Sequence, residues 1–342
     1  MAIEISASNS LNHCSDYYGF KADRHRNAPI HGSWPLIPFL SLATQIHHRT
    51  GFNIAIANAH LNIQYLRSTF HQHQHPPPWI HLFELPFNIL AFGSNGKLVI
   101  SSVSLKTPFH NFLLDIIKKQ GKPPLCIISD VFFGWVVEVA NIMNTVNITF
   151  ATGGAYGTLA LFSFWLNLPH RKTDSEEFNL PGFPERCKFH VSRLHEFMRK
   201  ADGNDSWSRF LKPQLSSSLQ SFGWLTNTAE ELEPLGLDSL RKYTQFPVWP
   251  IGPLLPKQLL NKSPLSSSSS TTQHAGKSPG ISAEKFLYIS FGSQNTVSRS
   301  QMMELAIGLE KSWKPFIRVI RLRLGFDLKA EFRSELMVTR RV

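Results

Sequence analysis

The sequence predicts an α/β protein in which a mostly parallel sheet is covered by helices on both faces. Between residues 36 and 243, short apolar runs alternate with segments of helical spacing. This order is typical of parallel sheets, because each crossover helix packs on one face of the sheet. After residue 285 the order strand, turn, helix, strand occurs once more, which indicates a further βαβ unit.

The elements of the first region are marked by periodicity and by residues that start or end helices. Residues 36–46 have apolar positions at helical spacing, and Gly51 ends this helix before a strand at 52–57. Pro108 fits the first turn of another helix, which Gly121 ends. The later strands are predicted at 125–128, 146–150 and 223–226, and the later helices at 132–143, 155–164 and 229–243.

A serine-rich, low-complexity interval separates this region from the last βαβ unit. It offers almost nothing to bury, which is typical of a linker. In the unit beyond it, 286–291 and 316–320 are predicted strands, and Ser298 and Gln301 have the spacing of a capping box before the helix. We therefore expect a poorly ordered segment at 1–35, a Rossmann-like domain at 36–256, the linker at 257–284 and a partial second domain at 285–342.

Composition and charge exclude several classes of protein. The chain has 342 residues and a formal net charge of +11, but more than half of that excess lies in the tail after residue 310. No basic stripe with interleaved aromatic residues occurs elsewhere, so nucleic-acid binding is not predicted. No run has the length of a membrane span, and the polar first residues do not resemble a signal peptide. Three widely spaced cysteines indicate neither a disulfide framework nor a zinc site. We expect a cytoplasmic protein.

Polar residues stand at the ends of predicted strands, where open α/β sheets place their ligands. Asp130 could orient a histidine base, or it could cap the next helix. Thr152 follows the next strand at the same position, where it could belong to a ligand site or cap the next helix. In the last unit, Gly292 and Ser293 could receive a phosphate through backbone N–H groups and a hydroxyl, or they could merely form a tight turn.

Two other chemistries are less well supported by the sequence. His71, His73 and His75 alternate and could hold a metal if the chain is extended there. No cysteine or carboxylate joins them and prolines follow, so we expect a loop and no metal. Hydride transfer is disfavoured because the turn at Gly292 lacks the GxGxxG pattern of dinucleotide binding.

Taken together, these segments resemble the plant family-1 UDP-glycosyltransferases. The resemblance implies a GT-B architecture of two Rossmann-like domains, with acceptor contacts mainly from the first and UDP-sugar contacts mainly from the second. This chain would contain the first domain and only the first βαβ of the second. The matching stretches are 36–58, 123–135, FATGG at 150–154, the segment from SWSRFLKPQ to EELEPLG, VWPIGPLL at 248–255 and FLYISFGSQNTVSRSQMMELAIGLE at 286–310.

The resemblance implies transfer of a sugar such as glucose from a UDP-sugar to a hydroxyl of a flavonoid, terpenoid or similar small lipophilic metabolite. The expected reaction is inverting and uses no metal and no cofactor; the UDP-sugar is a co-substrate. By position, Asp130 matches the aspartate that orients the base, and Thr152 matches a residue that contacts the sugar. Gly292 and Ser293 match the loop that contacts the UDP phosphates. The match favours these roles over the caps and turns.

The sequence departs from the family pattern near both ends. Pro35 occupies the position of the histidine base, and His31 lies four residues earlier. The strand expected before this loop is not recognisable in 1–35. The donor-binding box near the C-terminus is not found, since no His follows His274 and no Cys follows Cys187. The alternative to an active transferase is therefore a truncated, non-catalytic remnant that at most binds the acceptor.

Overall fold

A computed structural model describes residues 2–6, 36–70, 76–86, 101–255, 287–291 and 298–318. The chain forms two compact units, Met1–Lys262 and Ser263–Val342. The boundary falls within the predicted linker interval at 257–284, whose structure lies outside the described residues. Among the described residues, no helix is long and apolar enough to cross a membrane.

The described strands of the first unit are β1 (Ala2–Ser6), β2 (Asn53–Ala59), β3 (Ile80–Leu85), β4 (Cys126–Asp130), β5 (Val146–Ala151), β6 (Glu177–Phe178), β7 (Phe189–His190), β8 (Gly223–Thr226) and β9 (Val248–Pro250). The main sheet has the strand order β3-β2-β1-β4-β5-β8-β9. The short strands β6 and β7 pair with each other outside that sheet. The α-helices are α1 (Leu36–Thr50), α2 (His60–Phe70), α3 (Lys106–Gln120), α4 (Trp135–Ile142), α5 (Ala155–Asn167), α6 (Glu196–Arg199), α7 (Ser206–Ser218) and α8 (Pro234–Thr244).

Strand β1 corrects one expectation from the sequence. We expected no regular structure in 1–35, yet β1 pairs antiparallel with both β2 and β4, with Ala2 opposite Ala57 on one side and Ser129 on the other. All other neighbours in the main sheet are parallel. The segment AIEIS alternates instead of forming the continuous apolar run typical of a central parallel strand, but the central position pairs its backbone on both sides. Pro35 and His31 lie outside the described residues.

Most predicted elements of this unit are confirmed, with two shifted starts. The helix predicted at 132–143 begins at Trp135, because 131–134 form a turn after β4. The helix predicted at 229–243 begins at Pro234, since 229–233 form hydrogen-bonded turns and proline fits the first helical turn. Helices α2 and α7 and strands β3 and β9 were not among the predicted elements.

The core lies between the sheet and the helices that cover it. Helix α5 contributes Leu159, Phe162 and Trp165, and all three side chains are fully buried or nearly so. Phe162 packs on Trp224 of β8 with ring centroids 4.4 Å apart. The indole N–H of Trp224 donates to the carbonyl oxygen of Ser218 at 2.9 Å. The buried tryptophan therefore keeps a hydrogen-bond partner while its ring fills the core.

The second unit contains the predicted strand, helix and strand. Strand β10 (Leu287–Ile289) pairs in parallel with β11 (Phe316–Arg318), and helix α9 (Arg299–Lys311) lies between them in the chain. The predicted capping box is present: the Ser298 hydroxyl accepts from the backbone N–H of Gln301, and the Gln301 side chain accepts from the backbone N–H of Ser298. Gly292 and Ser293 lie outside the described residues.

A buried polar network fixes the register of strands β4 and β5. The Asn147 amide donates to the Ile127 carbonyl oxygen at 3.2 Å and to the Ser129 hydroxyl at 3.0 Å. The Ser221 hydroxyl, before β8, donates to the Asn147 amide oxygen at 2.8 Å and lies 2.5 Å from the Thr149 hydroxyl. Every side chain that enters this network is buried. The register matters because Asp130 ends β4, directly opposite Phe150 of β5.

We predict that Asn147→Ala lowers the free energy of unfolding by about 2 kcal/mol, because the buried hydroxyls of Ser129 and Ser221 each lose their hydrogen bond to the Asn147 amide. Urea denaturation followed by tryptophan fluorescence measures this change. Asn141→Ala, at an exposed position of α4, is the matched control and should stay within about 0.5 kcal/mol of the parent. Equal effects of the two substitutions would contradict a stabilising role for the network.

Candidate functional site

The candidate site lies at the carboxyl ends of β4 and β5. Asp130 is the last residue of β4, and Thr152 follows Ala151, the last residue of β5. These two strands are neighbours in the sheet, and Asp130 pairs with Phe150, two residues before Thr152. The structure therefore brings both predicted site residues to the same edge of the sheet. This is the edge where open α/β sheets bind ligands.

Asp130 lies in a local turn and is only 4% exposed. Its Oδ1 accepts the N–H of Phe132 at 3.0 Å, and its carbonyl oxygen accepts the N–H of Phe133 at 2.9 Å. Burial raises the pKa of the Asp130 carboxyl, and the Phe132 N–H partly opposes this shift. Helix α4 has Gly134 as its N-cap, with no side-chain cap. The interpretation of Asp130 as the cap of that helix is therefore wrong.

The acceptor at the start of α4 comes from a distant part of the chain. The Gln214 side chain, on α7, accepts the N–H of Trp135 at 3.1 Å. A Cβ on Gly134 would lie 2.0 Å from the Gln214 carbonyl oxygen, so only glycine permits this approach. Helix α7 therefore sets where α4 begins, with four residues between the end of β4 and the start of the helix.

Thr152 is partly buried, and its carbonyl oxygen accepts from the Asn227 amide at 3.2 Å. Its hydroxyl makes no hydrogen bond within the described part of the chain. Helix α5 has Gly154 as its N-cap, again without a side-chain cap at that position. The interpretation of Thr152 as a helix cap is therefore wrong. Its hydroxyl lies next to the end of β5 and is not used in a hydrogen bond to the described residues.

The side chain of Glu233, from the segment before α8, binds the N-terminus of α5. Its carboxylate accepts the N–H of Ala155 at 2.9 Å and the N–H of Tyr156 at 3.4 Å. A Cβ on Gly154 would lie 2.2 Å from the Glu233 Oε2 atom. The carboxylate thus satisfies N–H groups that the helix leaves open and is favoured by the helix dipole.

Asn227 joins three segments at the same edge. Its backbone N–H lies 3.2 Å from the carbonyl oxygens of both Ala151 and Gly153. Its side chain donates to Thr152, as described above, and accepts the N–H of Leu254 at 2.8 Å. Analysis of the sequence alone did not single out Asn227, Gln214 or Glu233. The one signal for these residues in the sequence was that the stretch from SWSRFLKPQ to EELEPLG, which contains all three, resembles the family.

A narrow apolar cavity lies beside the ends of β2 and β3. Its volume of about 10 Å³ has room for roughly one water molecule. Trp135, which is 7% exposed, lines the cavity, and its indole N–H has no hydrogen-bond partner among the described residues. The cavity is lined mainly by apolar and aromatic groups, which include Ala57, Leu85, Leu105, Phe109, Phe133 and Trp135.

The described residues offer no metal centre at this edge. No three His, Cys, Asp or Glu side chains lie close enough together to hold an ion in the ranges that the structure describes. The run with His71, His73 and His75 lies outside those ranges.

No protein-family model matches the chain. Curated proteins do match: crocetin glucosyltransferase 3 of Crocus sativus is 39% identical over 309 residues, which are 82% of this chain and 62% of that protein. UDP-glycosyltransferase 92A1 of Arabidopsis thaliana is 36% identical over 327 residues, which are 89% of this chain and 65% of that protein. The chain belongs to the plant UDP-glycosyltransferases. It spans less than two thirds of the length of these two relatives.

Solved structures of plant UDP-glycosyltransferases share the fold. UGT2 of Phytolacca americana, complexed with UDP-2fluoro-glucose and pterostilbene, aligns with a TM-score of 0.63 at 21% identity and covers 86% of this chain and 66% of that one. A UDP-glucosyltransferase from Polygonum tinctorium aligns with a TM-score of 0.64 at 19% identity, over 85% of this chain and 64% of that one. These likenesses confirm the GT-B-like, Rossmann-type fold class.

Family membership and the fold are thus established, while the roles of single site residues stay predictions. Asp130 and Thr152 reach the same sheet edge, as the resemblance implies. Pro35, Gly292 and Ser293 lie outside the described residues, and their assignment depends on their position in the sequence.

We predict that Asp130→Asn raises the melting temperature at neutral pH. Because burial raises the pKa of Asp130 in the folded state, the folded chain binds this proton more readily than the unfolded chain does. The ionised carboxylate therefore destabilises the fold above its unfolded pKa, and the amide removes that cost. Thermal denaturation of the parent and the variant between pH 4 and pH 8 measures the effect. The difference between their melting temperatures should be largest near neutral pH. A difference that stays constant down to pH 4 would contradict burial of the charge as the cause.

Proposed function

We propose that this chain transfers a sugar, with glucose as the first candidate, from a UDP-sugar to a hydroxyl group of a small lipophilic plant metabolite. The observation that carries the proposal is the 39% identity to a protein named crocetin glucosyltransferase 3. The Phytolacca neighbour, whose complex contains UDP-2fluoro-glucose and pterostilbene, supports the same pair of substrate classes.

The proposed reaction is one displacement at the anomeric carbon. A base takes the proton of the acceptor hydroxyl as its oxygen forms a bond to that carbon on the face opposite UDP. The bond from the anomeric carbon to the phosphate oxygen breaks, and UDP leaves with the electron pair. The configuration is inverted, and the step needs no group other than the two substrates and the protein.

Asp130 is assigned the role that the family match implies, which is to orient the base that takes the proton. Its burial raises the pKa of the carboxyl, which makes the carboxylate a stronger base and a better partner for a cationic imidazole. Pro35 stands where the family has its histidine and carries no titratable group. The orienting role of Asp130 is carried over from the family, and its place at the edge of the sheet is compatible with that role.

The donor is assigned to Thr152 and to the loop at Gly292 and Ser293. The free hydroxyl of Thr152, at the end of β5, supports a hydrogen bond to the sugar. The loop assignment depends on the family match alone.

The decisive experiment incubates the purified chain with UDP-glucose and a panel of phenolic acceptors and detects glycosides by mass. We expect product from the parent chain and at least about a 100-fold lower rate from Asp130→Ala, the scale of a lost general acid–base function. Asp174→Ala, at an exposed position, is the control and should retain the parent rate. Stabilisation by UDP-glucose is measured in parallel by thermal denaturation. Absence of both product and stabilisation would refute the proposal, whereas acceptor binding without product would favour the non-catalytic alternative.

A second prediction concerns Thr152. We expect Thr152→Val to raise the KM for UDP-glucose by about tenfold, the cost of one hydrogen bond, with a smaller change in kcat. Thr152→Ser keeps the hydroxyl and should stay close to the parent. Steady-state kinetics with varied UDP-glucose tests this split. An unchanged KM for UDP-glucose in Thr152→Val would show that the hydroxyl does not contact the donor.

A further inference from the structure

A second cavity of the first unit contains hydrogen-bonding side chains that the proposed reaction does not use. Its volume of about 350 Å³ is in the range of small-molecule sites. The walls come from helix α7 and from the single helical turn Ser101–Leu105 that precedes α3. The α7 residues are spaced so that they share one face of the helix. The lining consists of Val103, Ser206, Arg209, Phe210 and Gln214.

Gln214 presents a hydrogen-bond donor at this cavity. Its amide oxygen accepts the N–H of Trp135 at 3.1 Å, so the amide nitrogen lies at the other end of the group. That nitrogen has no hydrogen-bond partner within the described ranges, although the residue is only 8% exposed. Buried amide groups normally have a partner in the protein or in ordered water. A ligand in the cavity would supply the missing acceptor.

Arg209 adds a positive charge to the same wall. Its side chain is exposed and takes part in none of the salt bridges among the described residues. The carboxylate one turn earlier, Asp205, is held by its own helix. It accepts the N–H groups of Trp207 and Ser208 at 2.9 and 3.0 Å and the Ser208 hydroxyl at 2.6 Å. No acidic residue of the described chain lines the cavity, so the wall offers donors and a net positive charge.

This combination of groups favours one class of ligand. A guanidinium binds carboxylates through charge-assisted hydrogen bonds, often in a bidentate geometry, and the Gln214 amide and the Ser206 hydroxyl add donors. The other lining residues, Val103 and Phe210, are apolar and favour a hydrocarbon or aromatic group. A carboxylate attached to an apolar body uses both parts of the lining, whereas a free inorganic anion uses only one.

We propose that this cavity binds small organic carboxylates, with Arg209 and the Gln214 amide as the anion-binding groups and Phe210 beside the apolar part of the ligand. The inference goes beyond the transfer reaction and does not depend on it. Because Gln214 also accepts the N–H of Trp135, the first residue of α4, a bound carboxylate holds the same side chain that caps this helix.

The test titrates the full chain with cinnamate, with its neutral analogue cinnamyl alcohol and with inorganic phosphate, and follows binding by calorimetry. The parent should bind cinnamate at least about tenfold more tightly than the other two, the scale of one hydrogen bond to a charged group. Arg209→Gln should weaken cinnamate binding about tenfold at low salt, and added salt should shrink this effect. Gln214→Glu keeps an oxygen for the Trp135 N–H but replaces the donor by a like charge, so it should also weaken cinnamate binding.

Arg186→Gln is the matched control, because it removes the same charge from an exposed arginine that does not line the cavity. It should leave the dissociation constant for cinnamate at the parent value, and Arg209→Gln should leave the one for cinnamyl alcohol unchanged. The inference is overturned if the parent does not bind cinnamate, if it binds cinnamyl alcohol or phosphate as tightly, or if Arg209→Gln keeps the parent affinity. The transfer assay is a separate result, since this binding needs neither UDP-glucose nor product.

Discussion

The site depends on how the first turns of α4 and α5 are capped. A helix leaves its first N–H groups without partners inside the helix, and a buried start needs acceptors from elsewhere. Here both acceptors come from distant segments, Gln214 for α4 and Glu233 for α5. The approach of Gln214 needs glycine at Gly134, because a Cβ would collide with the Gln214 backbone, and a Cβ on Gly154 would displace the Glu233 carboxylate. The caps therefore fix the loops that contain the candidate site residues.

Because of these distant caps, the side chains in the short loops after β4 and β5 do not have to cap the next helix. If Asp130 or Thr152 capped the next helix, its side chain would be held by backbone N–H groups. Instead Asp130 holds one N–H within its own turn, and the Thr152 hydroxyl has no partner in the described ranges. Asn227 restrains the backbone around Thr152 through the carbonyl oxygens of Ala151, Thr152 and Gly153. The backbone is thus fixed while a polar side-chain group is left for a ligand, as preorganised sites require.

Sequence alone predicted the parts of the fold that local patterns encode. The alternation of apolar runs and helical spacing gave β4, β5, α5 and β8, and the capping box gave the start of α9. The central strand β1 escaped prediction because AIEIS alternates like a half-exposed strand, although its backbone pairs on both sides. The caps also escaped, since Gln214 and Glu233 lie 79 and 78 residues from the N–H groups that they accept. Asp130 and Thr152 were found because strand ends are local features, and their roles came from the family resemblance.

Two buried polar features of β4 and β5 differ in what they do for the fold. The network around Asn147 is satisfied by hydroxyl and carbonyl partners, so it orders the strands without leaving a charge in the core. Asp130 lies further along β4, is almost as well buried, and its carboxylate has a single backbone donor among the hydrogen bonds described. An aspartate serves stability poorly in this place, since a neutral residue would avoid the cost of desolvation. The satisfied network holds the strand end in register, and this support allows the strand to keep an unfavourable carboxylate where open α/β sheets bind their ligands.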